Sequence, residues 1–286
     1  MLNPKQLWQV CRFEVLRRLR SPSGLIALLV LVIASGVVGR QLAGAAKLLN
    51  QASSGRDAAA FEMVGDLVAG LTGFPIDTVR ATLDAHSPPL VGAFAFLMFV
   101  MPLLTLTLGH DQCASDIETR HARFLAFRID RTTLYVGKLL GAWMMLTMIF
   151  AVAGVSMAGY IWAAGGSMPA LVDFVYLGRL VATVSITSLP LLTLLGLLGS
   201  LRGRARRVVL LAVLLWVGVS IAAGILRHAL DLETLASIVD LLWPTTGRWS
   251  LLLDEGGPWL LAAARVSVYS LVVGTLGLLH FRKRDL

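Results

Sequence analysis

Residues 139–162, LLGAWMMLTMIFAVAGVSMAGYIW, run for 24 residues without an Asp, Glu, Lys or Arg. About 20 consecutive apolar residues suffice for a helix to cross a bilayer. A buried core helix would explain one such run. The chain carries five more charge-free runs, at 23–39, 90–109, 180–199, 208–226 and 266–280. None alternates apolar and polar residues as a transmembrane barrel strand does. The first and last are short and draw length from their flanks. The composition agrees: 57% of the 286 residues are hydrophobic and 15% charged, against roughly 25% charged in soluble domains. The pattern predicts an all-α integral membrane protein with six transmembrane helices. No small-residue cleavage site directly follows the first run, so it reads as a retained span.

Orientation follows from Lys and Arg. Segments 1–22, 110–138, 200–207 and 281–286 hold 17 of the 25 Lys and Arg residues. The longer segments 40–89, 163–179 and 227–265 hold the other eight, with 11 of the 17 acids. Both termini are therefore expected in the cytoplasm. The net charge of +8 follows from topology and from anionic lipid at the cytoplasmic face, and requires no nucleic-acid partner. Cys11 and Cys113 are too few for a disulfide framework.

Residues 4–20, PKQLWQVCRFEVLRRLR, read as a basic helix ending at the corner before Pro22. Trp8, Cys11, Val15 and Leu19 share one face, which fits a helix lying in the membrane interface. The external segment 40–89 is too long to be a plain connection, and suits a lid or a subunit contact. The segment 227–265 holds apolar pieces broken by Pro244, Gly256, Gly257 and Pro258. It predicts short re-entrant or interfacial helices, with Arg265 near the outer surface; if the last span instead begins at Trp259, Arg265 must snorkel or line a path. Within the spans, Pro102 and Pro190 are candidate kinks. Ser185, Thr187, Ser188 and Thr193 surround Pro190 in a polar stripe, either lining a passage or bonding within the bundle.

One block breaks the apolar character. DIETRHARFLAFRIDR, residues 116–131, has seven Asp, Glu or Arg among sixteen residues. As a helix it places Ile117, His121, Phe124, Leu125 and Arg128 on one stripe, flanked by Glu118, Arg120, Arg123 and Arg131. Such a face suits burial against lipid or a partner protein.

These features together resemble the membrane subunits of type-2 ABC exporters. The match rests on Asp116, Glu118 and Arg120, then Phe124 and Leu125, Asp130–Arg131, and Tyr135, Gly137 and Lys138 leading into a span. LLWPTTGRWSLL after the fifth run and the ending FRKRDL are also similar. His121–Ala122 stands where that family often has Gly–Thr. The resemblance implies a permease in the bacterial cytoplasmic membrane, forming half of an export pathway with a second permease subunit, identical or different. It implies a coupling loop at 110–138, with Asp116, Ile117, Glu118, Arg120, His121, Arg123, Phe124, Leu125, Arg128 and Arg131 at the ATPase contact. Ser185, Thr187, Ser188, Pro190 and Thr193 become candidate pathway residues. The sequence holds no G-x-x-x-x-G-K-[ST] motif, because Gly137–Lys138 lacks the upstream Gly and is followed by Leu139. ATP and Mg are thus expected on a separate ATP-binding cassette subunit, with no cofactor on this chain.

Other classes fit less well. A membrane enzyme needs acids or an activated nucleophile at membrane depth, and the six runs contain no acid and only His280, at one end. His110, Asp111, Cys113 and His121 match no established metal-ligand spacing. An anchor or scaffold subunit would also need an interaction loop.

Overall fold

The computed structural model describes residues 3–52, 88–118, 128–165, 171–202, 204–228 and 256–283, with positions 66, 77, 79 and 235. Among them the chain forms helices and turns only. In order these are α1 (Pro4–Arg20), α2 (Pro22–Ala52), α3 (Pro88–Gly109), α4 (Ala114–Glu118), α5 (Arg131–Gly165), α6 (Leu171–Arg202), α7 (Ala205–His228) and α8 (Gly256–Lys283). Among the described residues, five stretches are long and apolar enough to cross a membrane: Gly24–Gly44, Pro89–Glu118, Arg131–Ala163, Asp173–Arg202 and Trp259–Lys283. The expected span at 208–226 lies inside α7, a continuous helix that is not one of the five.

Helices α3, α5 and α6 form the centre of the bundle, around Leu97, Met98, Met101, Met145, Phe150 and Val184. Their directions follow from what touches what. Met98 of α3 meets Thr187 of α6, and Gly109 meets Leu195, so the two run parallel. Trp143 of α5 donates to Ser185 O, while Tyr135 lies against Gly196, so α5 and α6 are antiparallel. On α8, Gly274 packs on Thr193 and Gly277 on Leu197 of α6, again parallel. The ion pairs between α1 and Asp111 and Asp116 put α1 and the start of α2 at the end where α3 finishes. At that same end Phe281 of α8 stacks on Tyr135, with ring centroids 5.6 Å apart.

The outer helices wear their large side chains outward. On α2, Leu25, Ile26, Leu29, Val30, Ile33 and Val37 are exposed, while Ala27, Leu31, Ser35 and Ala43 face the bundle. Small residues inward and branched apolar residues outward is the arrangement of a helix packed in lipid. Leu260, Leu261, Val268, Leu271 and Val272 do the same on α8. Exposed apolar area on this scale is foreign to a soluble monomer and fits a multi-pass integral membrane protein.

Three sequence expectations are corrected. Residues 256–265 are not a separate interfacial piece; they are the first turns of α8, and Arg265 is a half-buried residue within it. Residues 131–138 are likewise the start of α5 rather than loop. In both cases a charge ends an apolar run without ending the helix, since Arg and Lys are good helix formers. The remainder of the expected re-entrant region, 229–255, lies outside the described residues apart from Leu235. Of the expected external segment 40–89, residues 40–52 continue α2 rather than forming loop, and Val79 is buried in the core.

A sharp corner separates α1 from α2. Ser21 Oγ donates to Arg18 O (2.7 Å) and accepts from Gly24 N (3.1 Å), and Pro22 occupies the first helical position. A Cβ on Gly24 would collide with the Arg18 carbonyl oxygen. Gly24→Ala is expected to lower stability by about 1–3 kcal/mol, read by denaturant unfolding in detergent. Gly44→Ala, with nothing within 4 Å of its added Cβ, should not.

Candidate functional site

The site grows from α1. Asn3 caps it, its Oδ1 accepting from Lys5 N (3.1 Å) and Gln6 N (3.4 Å), with Pro4 next. The helix turns Val10, Cys11, Glu14 and Arg18 inward and leaves Trp8, Phe13 and Leu16 exposed. The expected stripe is therefore split: Cys11 is buried, Val15 and Leu19 pack on the core, and Trp8 points away. Charge lies inside and aromatic surface outside.

Two glycines of α5 permit this. A Cβ at Gly137 would lie 2.8 Å from Val10 Cγ1. One at Gly141 would lie 2.7 Å from Glu14 Cβ and 2.9 Å from the Cys11 carbonyl oxygen. The Gly137-x-x-x-Gly141 notch thus lets two backbones touch, as small residues do between membrane helices. Cys11 Sγ sits 3.4 Å from Met144 Sδ beside it. Burial and the nearby Glu14 carboxylate push the Cys11 thiol up, so it stays protonated.

Around this contact six charges close on one another. Arg18 binds Glu14 through Nε (2.9 Å) and its second guanidinium nitrogen (2.7 Å), and reaches Asp111 at 3.1 Å. Arg17 bridges Glu14 (3.1 Å) and Asp116 (3.2 Å) and approaches Asp111 at 3.9 Å. Lys138 of α5 pairs with the other oxygen of Asp116 and donates to Gln112 O (3.1 Å). Gln112 Nε2 in turn donates to Leu192 O of α6 (2.9 Å). Three cations meet three anions, so the cluster is neutral. Glu14 is 1% exposed, and Arg18 and Lys138 are each 4% exposed. A buried group of this kind adds little net stability, yet removing one member strands its partner without water. Its effect is geometric: it ties α1, the 110–118 link and the start of α5 into one unit.

Of the residues singled out by sequence, Asp116 is in the cluster. Ile117 is half-buried against Val10, Leu134, Tyr135 and Phe281. Glu118 and Arg128 are exposed, and Arg131 donates to Arg282 O (2.8 Å), joining the start of α5 to the end of α8. Arg120, His121, Arg123, Phe124 and Leu125 lie outside the described residues. The hydroxyls around Pro190 are buried between helices and bond carbonyls of α6 itself. Ser185 donates to Val181 O, Thr187 to Thr183 O, Ser188 to Ser185 O and Thr193 to Pro190 O.

Sequence reasoning did not single out Glu14, Arg17, Arg18 and Asp111 as site residues, and gave Lys138 only a place in the loop pattern. One signal was available. Glu14 is the only acid before Asp57, and Arg17 and Arg18 follow it by three and four residues, the spacing of neighbours on a helix. No group of His, Cys, Asp and Glu suited to a metal ion occurs among the described residues. No protein-family model matches this sequence, and a comparison with curated proteins gives no match.

Proposed function

We propose that the chain is the permease subunit of a type-2 ABC exporter in a bacterial cytoplasmic membrane. In this reading α7 also crosses, making six spans with both ends of the chain cytoplasmic. A separate ATPase subunit, carrying ATP and Mg, docks on the block at 116–131, and a second permease subunit completes the export pathway. The observation that carries this reading is the ion cluster of Glu14, Arg17, Arg18, Asp111, Asp116 and Lys138, of which Glu14, Arg18, Asp116 and Lys138 are buried. A loop that transmits force needs a stiff joint to the helices it moves. Asp116, at the head of the block, is such a joint, fixed by Lys138 of a spanning helix and by Arg17 of α1.

The test is purification of the tagged chain from its own membrane under mild detergent. A stoichiometric soluble partner with a Walker A motif is the expected result, and ATP hydrolysis by that complex should accompany transport. Phe124→Ala is expected to leave insertion intact and to separate hydrolysis from transport. If the chain comes out alone, or with membrane proteins that hydrolyse no ATP, the permease reading fails and an anchor or scaffold role replaces it.

A further inference from the structure

The link between α6 and α7 carries a charge pattern that the coupling reading does not use. Arg202 ends α6, Arg204 precedes α7, and Arg206 and Arg207 stand in its first turn. All four are exposed, and none makes an ion pair with a described residue. The first turn of α7 has no acid, and the start of a helix disfavours cations, so the charges are unfavourable until anions match them. Val208 and Ala212 hold α7 against Leu195 and Leu198 of α6. The opposite side of α7 is a continuous exposed apolar stripe of Leu210, Leu214, Val217, Ile221 and Ile225. The arginines therefore crown an exposed apolar surface, at the basic end of the bundle.

We propose that this corner binds the headgroup of an anionic phospholipid, its phosphate held by Arg204, Arg206 and Arg207 and an acyl chain lying along Leu210, Leu214 and Val217. The apolar stripe directly beneath the charges distinguishes a lipid from a soluble anion: the site offers complementarity to both parts of one molecule. Guanidinium groups suit phosphate because their planar donors bind it in pairs. The proposal rests on the reading in which α7 crosses the membrane, and not on which partner docks at 116–131.

Native mass spectrometry of the full chain in neutral detergent, mixed with equal phosphatidylglycerol and phosphatidylcholine, tests it. Wild type should retain phosphatidylglycerol preferentially. Changing Arg204, Arg206 and Arg207 together to Gln should reduce that preference, by about fivefold for each arginine removed. The matching Lys variant should keep most of it. An unchanged ratio in the Gln variant overturns the proposal. So does loss of the preference in wild type on adding millimolar inorganic phosphate, which would mark a site for free anions. An unchanged ratio with loss of a copurifying protein would assign the corner to that protein and equally overturn it. Should the triple variant fail to fold, Arg207→Gln alone is judged by the same ratio.

Discussion

Replacing Lys138 by Met should be the most damaging single change in the described structure. Met fills a similar volume, so little packing is lost. Asp116, 9% exposed, would lose its Lys138 partner. Arg17, 29% exposed, would be its one remaining partner among the described residues, and the cluster would carry one unmatched negative charge; an unmatched buried charge costs up to about 3–5 kcal/mol, a large share of a typical folding free energy. The expected result is a clear drop in the denaturant midpoint of the detergent-solubilised chain. The informative companion is Lys138→Met with Asp116→Leu. That pair removes one charge of each sign and leaves Arg17 and Arg18 facing Glu14 and Asp111. Most of the lost stability should return. A Lys138→Met chain that unfolds at the wild-type midpoint would show that the two groups are not a buried pair.

Gly141→Val should act on the same unit from its apolar side. The new side chain would meet Glu14 Cβ at 2.7 Å and the backbone oxygen of Cys11 at 2.9 Å, and a backbone atom cannot move away without the helix. Overpacking of this kind costs about 1–3 kcal/mol. We expect α1 to lift from α5, which Cys11 reports directly, since its thiol is buried in the docked helix. In a Cys113→Ala background, maleimide labelling of Cys11 should accelerate about tenfold or more. Gly159→Val, where an added Cβ meets nothing within 4 Å, should leave the rate unchanged. Equal labelling in both variants would remove the helix contact from the account.

The apolar centres of the helices were legible because hydrocarbon tolerates so few side chains. Their ends were not. A run ends at its first charge, whereas a helix ends where its hydrogen bonds stop. Arg179, Arg265 and Lys138 each closed a run while their helices continued through them. Leu171–Arg202 thus extends nine residues before the run at 180–199. The ion cluster was hidden for another reason. Its members come from three segments, with Arg17 and Asp116 separated by 99 positions, and no local periodicity records such a pairing. Trp8, read from its spacing as sharing one face with Cys11, Val15 and Leu19, is parted from them. Here the glycine notch of α5 selects Val10, Cys11 and Glu14, and Trp8 is left outside.

The separation of those charges along the chain also sets an order of events during synthesis. Helix α1 leaves the ribosome before its partners: Asp111, Asp116 and Lys138 follow about a hundred residues later, roughly 5–20 s at ordinary rates of elongation. Until then Glu14, Arg17 and Arg18 lack the partners that the later segments bring. Docking of α1 is thereby deferred until α5 has emerged with its two glycines. Helix α1, made before α5, can thus find its place only after it.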